Sequence, residues 1–255
     1  MDQSVFEACY RGRQSWLHHI AYMRMAKVIV ALRMLEEAGT DLSGKSILDY
    51  GFGAGTFFRY CPRDAFLFGV EQDAANTESV RGMLEERGYQ HVDLQTIDIK
   101  AWETHPLLAR KYDVILCSHV LEHMEAPKEL VARMARCLET NGIFLGIVPI
   151  NERVMNPHHV ARVTEERIRE WSSQPGIRLT LYRELDPLMY RLQPLFNHDS
   201  GIRHRVAQAV SLGMGLTASL LGFANWNRLG NVLAGPAFLK PTQAAFILRR
   251  EDSGS

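Results

Sequence analysis

Short apolar runs separated by amphipathic stretches set the plan of this chain. Residues 46–48, 65–70, 92–97, 112–118 and 143–149 are rich in β-branched, aromatic and leucine side chains and read as short strands buried on both faces. Between them, residues 56–60, 74–87, 128–139 and 164–171 read as helices, with Gly88 and the Asn141-Gly142 pair as punctuation. A longer helical stretch, 14–38, precedes the first strand. Ile20, Met23, Val28, Val30, Leu32 and Leu35 give it apolar surface, and Gly39 stops it. Strands alternating with helices from residue 46 to 149 predict an α/β fold built on a doubly wound parallel sheet. Residues 176–182 and 243–250 read as sixth and seventh strands.

Between those last two strands, residues 183–240 exceed what a hairpin needs and read as a substrate-facing insertion. Its first half holds Tyr190, Phe196, His198 and Asp199, then the basic run Arg203-His204-Arg205. Residues 206–227 carry no charge and include Leu212, Met214, Leu216, Leu220, Leu221, Phe223 and Trp226. This stretch reads first as a lid over an apolar pocket, and second as a lid touching a membrane surface through residues 203–227. Its glycines and polar residues dilute it below a true membrane span. The expected organisation is an N-terminal helical cap (1–40), a core (41–182), the lid insertion (183–240) and a last core strand with tail (241–255).

Composition narrows the classes. Hydrophobic residues at 46% supply ample core for a chain of 255 residues. The formal net charge of +0 gives no general field toward nucleic acid, so a nucleic-acid partner is not expected. Cys9, Cys61, Cys117 and Cys137 are scattered without a C-x-x-C pair, and the start lacks a signal-peptide pattern. They read as reduced thiols of a cytoplasmic protein, with Cys117 and Cys137 as core fillers.

The chemistry begins in Asp49-Tyr50-Gly51-Phe52-Gly53-Ala54-Gly55-Thr56. Glycine permits positive φ and lacks the Cβ that would block a ligand. A strand, a glycine turn and a helix at the carboxyl edge of a parallel sheet make a nucleotide-type pocket. A dinucleotide-binding G-x-G-x-x-G would place its third glycine where Thr56 stands. Glycines at 51, 53 and 55, two residues after Asp49, instead resemble motif I of the class I S-adenosylmethionine (SAM) methyltransferases. A pyrophosphate wants bare N–H groups at a helix start, whereas a positively charged sulfonium amino acid suits a carboxylate such as Asp49. Glu71 follows the glycine turn at about the 20-residue spacing of a ribose-gripping acid, a solvated loop residue being the bland alternative.

Further segments extend the resemblance. Motif I, the Glu71 acid, Asp98 after the third strand, Tyr112–Ser118 with Leu121-Glu122-His123, and Asn141-Gly142 before a strand occur in the order seen in small-molecule methyltransferases related to the ubiquinone-biosynthesis enzymes. The resemblance covers residues 45–171. Motif I departs from the family only in carrying the aromatics Tyr50 and Phe52 between small residues. What it implies is a Rossmann-like seven-stranded methyltransferase sheet, with SAM bound by Asp49, Gly51, Gly53, Gly55, Glu71, Gln72, Asp98, Ile99 and Ser118. Asp98 would reach the adenine amino group and Ile99 line the ring; capping of a following turn is the other reading of Asp98.

A histidine constellation completes the reading. His119, Glu122 and His123 stand at i, i+3 and i+4, which share one face of a helix. The ends of strands four and five both open onto the cofactor crevice, so His158 or His159 would stand opposite His123. In one reading His123, His158 or His159 is the general base for an acceptor hydroxyl. In another, His119, Glu122, His123 and His158 (or His159) hold a divalent metal. That layout is similar to metal-dependent terminal-nucleotide RNA methyltransferases and to magnesium-binding quinone-type enzymes. His119 in place of their glutamate predicts a softer ion than magnesium. In the third reading Glu122 and His123 are structural. H-x-x-E-H also matches an inverted zinc-protease signature, but that motif needs a long helix and this one follows a strand directly.

The expected function is methyl transfer from SAM to an oxygen of a small or lipid-like acceptor of natural-product, quinone or glycolipid type. A metal-assisted 2′-hydroxyl methyltransferase and a SAM-binding or membrane-associated partner protein without chemistry are the alternatives. The expected location is cytoplasmic, with peripheral membrane contact through 203–227.

Overall fold

Strand β1 (Ser46–Tyr50) is paired on both sides, with β2 (Phe66–Glu71) and with β4 (Tyr112–Ser118), parallel in each case. The computed structural model describes residues 22–97, 106–152, 158–160, 162–185, 201–221, 225, 226, 229 and 240–251. Strands β3 (Val92–Thr96), β5 (Leu138–Pro149), β6 (Ile177–Leu185) and β7 (Gln243–Arg250) complete a seven-stranded sheet of order β3-β2-β1-β4-β5-β7-β6. β7 runs antiparallel between β5 and β6. The winding reverses between β1 and β4, so the crevice of this α/β fold opens at the carboxyl ends of those two strands.

Both faces of the sheet are covered, which is why its central strands are apolar at nearly every position. Along β1 and β4, Ile47, Val114 and Leu116 enter one core, and Leu48, Ile115 and Cys117 the other. Helices α1 (Tyr22–Glu37) and α2 (Ala74–Glu86) cover the first face through Met34, Leu35, Val80 and Leu84. Helices α3 (Pro127–Arg136) and α4 (Glu165–Ser172) cover the second through Leu130, Met134, Ile168 and Trp171. Helix α2 starts where the Asp73 carboxylate accepts from the Ala75 and Asn76 N–H groups. Thr164 caps α4 by accepting from the Arg167 N–H.

Helix α5 (Gly201–Leu221) lies inside the expected insertion. It packs on α1, where Ala218 and Trp226 meet Tyr22 and Ala26, the Tyr22 and Trp226 rings standing edge to face at 5.4 Å. No described helix is long and apolar enough to cross a membrane.

Some boundaries differ from the sequence reading. The Asn141-Gly142 pair is not a turn ahead of a strand. α3 ends at Arg136, and β5 begins at Leu138 and continues through 139–142 to Pro149. Tyr112 pairs with Leu138 but Val114 with Ile143, so the extra residues form an irregularity in the ladder. Asn141 tolerates the left-handed φ of 63° that this needs. The expected helix at 56–60 is a four-residue 3-10 turn, Phe57–Tyr60. Cys61 precedes a proline and takes an extended conformation (ψ 147°), which stops the helix there. β6 runs on to Leu185, beyond the expected core boundary at 182. Cys61, Cys117 and Cys137 are buried free thiols. His18, His19, Cys9, Asp98, Ile99, Tyr190, Phe196, His198 and Asp199 lie outside the described residues.

Gly146 on β5 gives way to an aromatic ring on β7. A Cβ there would meet Phe246 Cζ at 2.3 Å. Gly146→Ala is expected to cost about 1–3 kcal/mol of unfolding free energy by overpacking. Gly82→Ala in α2, where a Cβ meets nothing within 4 Å, is expected to gain about 0.5–1 kcal/mol. Urea midpoints of the two variants check the contrast.

Candidate functional site

The turn after β1 takes φ values of 76°, 53° and 63° at Gly51, Gly53 and Gly55, a backbone that side chains resist. The three glycines serve different ends. A Cβ on Gly51 would meet Val120 Cγ2 at 2.5 Å, and one on Gly55 would meet Val80 Cγ1 at 2.5 Å, so both are there for close packing. A Cβ on Gly53 would meet nothing within 4 Å, so this position borders open space. Its N–H is already committed, donating to Glu71 Oε2 at 2.8 Å.

Glu71 therefore holds the turn. Its Oε1 accepts from the Gln72 N–H at 2.9 Å and the Asp73 N–H at 3.3 Å. Burial pushes its carboxyl up, and the three N–H donors work against that push. A carboxylate offers about four acceptor positions, so a sugar hydroxyl arriving here finds about one. Gln72 is exposed at this loop. The second-strand acid is thus a buried clamp on the glycine turn and not a solvated loop residue.

Asp49 closes β1 and is only 3% exposed. Burial first, and the neighbouring Glu71 charge second, push its carboxyl up to about 8, while the Lys27 ammonium on α1 pulls the other way. Lys27 also bears on His119. No motif pointed to Lys27; the available signal was a lone cation within an apolar stretch of helix, between Ala26 and Val28. At the end of β4, Ser118 Oγ is buried without a hydrogen-bond partner, a polar atom turned toward the crevice edge with acceptor and donor capacity to spare.

The histidines do not share a helix face as the spacing implied. His119 has φ 57° and donates its N–H to Ile147 O at 2.8 Å, extending the β4–β5 pairing. Only Leu121–His123 turn, as a three-residue 3-10 element. His119 Nδ1 still lies 3.3 Å from Glu122 Oε1, and the Gln243 side chain also bears on this buried imidazole. Burial foremost, then the Lys27 charge, lowers the His119 imidazole, with Glu122 opposing. Glu122 is 2% exposed. Burial alone would raise its carboxyl, but the His119 contact and the His123 charge hold it below the usual range.

On the far side of Glu122 a second group gathers. His123 Nδ1 lies 3.0 Å from the His158 carbonyl oxygen, and His159 Nδ1 lies 3.0 Å from Glu152 Oε2. Both partners only accept, so each Nδ1 carries a hydrogen. The two rings meet edge to face at 4.8 Å. One ligand atom each from Glu122, His123 and His159 lie within 4.8 Å of one another. The Val160 N–H donates to Glu122 O at 2.9 Å and fastens this segment to the 3-10 turn.

The expected quartet is therefore regrouped. His159 enters with its side chain, His158 through its carbonyl, its side chain being exposed, and His119 touches Glu122 alone. Glu152 was not anticipated. Its signal was an acid just past a strand end and seven residues before His159. Because Gly51 packs on Val120, this cluster and the glycine turn are contiguous.

A family model described as a methyltransferase domain matches residues 17–185. The chain belongs to that family. The ubiquinone biosynthesis O-methyltransferase of Pasteurella multocida is 26% identical over 153 residues, covering 56% of this chain and 63% of that protein. The chain thus spans less than two thirds of this curated relative. Among solved structures, the magnesium protoporphyrin IX methyltransferase of Synechocystis, with SAH bound, superposes with a TM-score of 0.58 at 12% identity, covering 98% of this chain and 94% of the other. The [4+2]-cyclase SpnF gives 0.60 at 17% identity, covering 91% and 83%. These likenesses establish the methyltransferase-domain fold.

Asp49 gives the domain a definite pH dependence. Its carboxyl ordinarily ionises near 3.8 and in the fold near 8. Between those values the unfolded chain holds fewer protons than the folded one, so unliganded stability falls as pH rises, by up to about 1.4 kcal/mol per pH unit for one group. Glu71 is raised as well and adds with the same sign. Denaturant titrations from pH 4 to 8 are expected to show this decline, and Asp49→Asn to flatten most of it.

Proposed function

We propose that this methyltransferase domain binds SAM at the glycine turn and methylates a hydroxyl of a small-molecule acceptor. The observation that carries the reading is a buried, high-pKa carboxyl, Asp49, ending β1 at the reversal of the sheet. It stands beside a glycine turn whose middle residue faces open space. A pyrophosphate would meet a buried acid there, and a cationic amino-acid end gains from it. The cofactor supplies a methyl group on a sulfonium. Asp49 gives up its proton as the cationic end arrives, Glu71 keeps the turn in place with acceptor capacity left for a ribose hydroxyl, and Ser118 Oγ offers a further polar contact. Asp98 and Ile99 belong to the same proposal through the resemblance alone.

The acceptor's proton goes to His159 Nε2. Glu152 accepts from Nδ1–H and leaves Nε2 for the acceptor, and a ring nitrogen of His159 lies within 4.8 Å of ligand atoms of Glu122 and His123. As the acceptor oxygen bonds to the methyl carbon, the carbon–sulfur bond breaks and its electron pair stays on sulfur. His123 is oriented in the same way by the His158 carbonyl and lines the other wall. The relatives named as ubiquinone biosynthesis O-methyltransferases support oxygen as the methyl acceptor, and an imidazole suits the removal of a hydroxyl proton.

A second reading of this cluster rests on the same geometry. A Glu122 carboxylate oxygen with one ring nitrogen each of His123 and His159 forms a nitrogen–oxygen donor set suited to a divalent first-row ion. Each imidazole already has the outer hydrogen bond that metal-bound histidines carry. Such an ion would acidify the acceptor hydroxyl.

Calorimetry with SAH, and transfer of labelled methyl to a panel of phenols, catechols and lipid extracts, test the proposal. SAH is expected to bind, and below pH 8 to release a proton detectable as buffer-dependent heat. Asp49→Ala is expected to abolish binding. His159→Gln is expected to lower turnover about 10²–10⁴-fold with SAH affinity unchanged. Sensitivity to chelators, reversed by an added divalent ion, assigns the cluster to metal; insensitivity assigns it to the base. Failure to bind SAH or SAM would sink the methyl-transfer reading.

A further inference from the structure

Helix α5 is amphipathic in an unusual sense. Its inward face is made of small residues, Ala207, Ser211, Gly215 and Ala218, all buried. At 100° per residue these fall within one stripe. The opposite stripe is Ile202, Val206, Ala209, Gly213, Leu216 and Leu220, at alternating spacings of four and three. All of these are exposed, Ile202 by 82% and Leu220 by 86%. The small stripe lets α5 approach α1 closely, while the large aliphatic side chains point outward, over a length of about 27 Å. Among the described residues nothing packs on that ridge.

The surrounding charge says what the ridge faces. Residues 200–240 contain Arg203, Arg205, Arg228 and Lys240 and not one aspartate or glutamate. In a chain whose formal charge is +0, this segment is entirely basic. Arg205 is exposed on the flank of the ridge, near its N-terminal end. A second copy of α5 would offer these arginines no acid, since the helix carries none. An anionic lipid surface answers the charge with its headgroups and the aliphatic ridge with its acyl region.

We infer that α5 is a surface-lying membrane contact, with Ile202, Val206, Leu216 and Leu220 entering an anionic bilayer and Arg205 at the headgroups. The ridge points away from α1, which carries Lys27 toward Asp49, so contact leaves the crevice side of α1 uncovered. The inference is independent of which acceptor is methylated, and its test needs no turnover.

Co-sedimentation of the full chain with phosphatidylcholine vesicles, with and without phosphatidylglycerol, decides it. Binding is expected to the phosphatidylglycerol vesicles, to be much weaker on phosphatidylcholine alone, and to weaken with salt. The double variant Ile202→Ser, Leu220→Ser is expected to bind at least about tenfold more weakly with an unchanged melting temperature, both side chains being solvent-exposed. Arg205→Gln is expected to reduce the preference for phosphatidylglycerol. No binding to anionic vesicles overturns the inference, as does full binding by the double variant. So does a dimer in sedimentation velocity that the double variant splits, since the ridge would then serve a second copy.

Discussion

The hydrogen bond from the Gly53 N–H to the buried Glu71 carboxylate is the constraint on which the site depends. It joins the turn after β1 to the end of β2, and the remaining Glu71 oxygen collects the next two N–H groups. Together with the Gly51 N–H to Val70 O and Gly55 N–H to Phe52 O bonds it fixes a turn of three left-handed glycines, residues that lose more freedom on ordering than any other. The clamp works because both parent strands are held in register by the sheet, Asp49 opposite Gly69 and Tyr50 opposite Val70. Gly69 in turn has no side chain, so the Phe52 ring can lie over it and complete the turn's packing.

The same arrangement accounts for the high pKa of Asp49. A carboxyl buried next to a second buried carboxylate keeps its proton until a cation replaces it. Lys27 is too weak an influence to reverse this, since burial and Glu71 outweigh it. Arrival of a cation beside Asp49 and loss of its proton are therefore coupled. A pocket built for phosphate would have no use for this, because an anionic ligand and a buried acid would drive the proton count in the wrong direction.

The sheet was legible in the sequence because its central strands are buried on both faces and so appear as unbroken apolar runs. The cofactor turn was legible because glycine spacing reports backbone geometry directly. What escaped notice depends on contacts between distant residues. Glu71 read as a ribose ligand, and its prior engagement with Gly53 comes from two strand ends 18 residues apart meeting in space. Lys27 and Glu152 carry no motif at all. The pair His158-His159 was ambiguous because adjacent positions look alike in sequence; the Val160 N–H anchored on Glu122 O settles which ring turns inward. In α5 the apolar character was visible, but not that its small residues face the protein and its large ones the outside. Asn141-Gly142 carries a turn signature, and the ladder absorbs it as an irregularity within β5.

Fold alone leaves the chemistry open, since a [4+2]-cyclase shares this architecture as closely as a methyltransferase does. The side chains at the mouth must therefore carry the distinction. Glu122, His123 and His159 place a buried acid and two imidazoles, each held at Nδ1, beside the turn. Burying Glu122 with so few hydrogen bonds is costly unless a proton or a cation is exchanged there. The His119 contact first, and His123 after it, hold that carboxyl below its usual range against the push of burial. A charged, buried acid beside two imidazoles is an arrangement suited to a positive charge. In the proposed methyl transfer from a sulfonium to a hydroxyl, one positive charge leaves the reacting atoms as a proton, and the His159 imidazole beside this carboxylate is the group proposed to receive it.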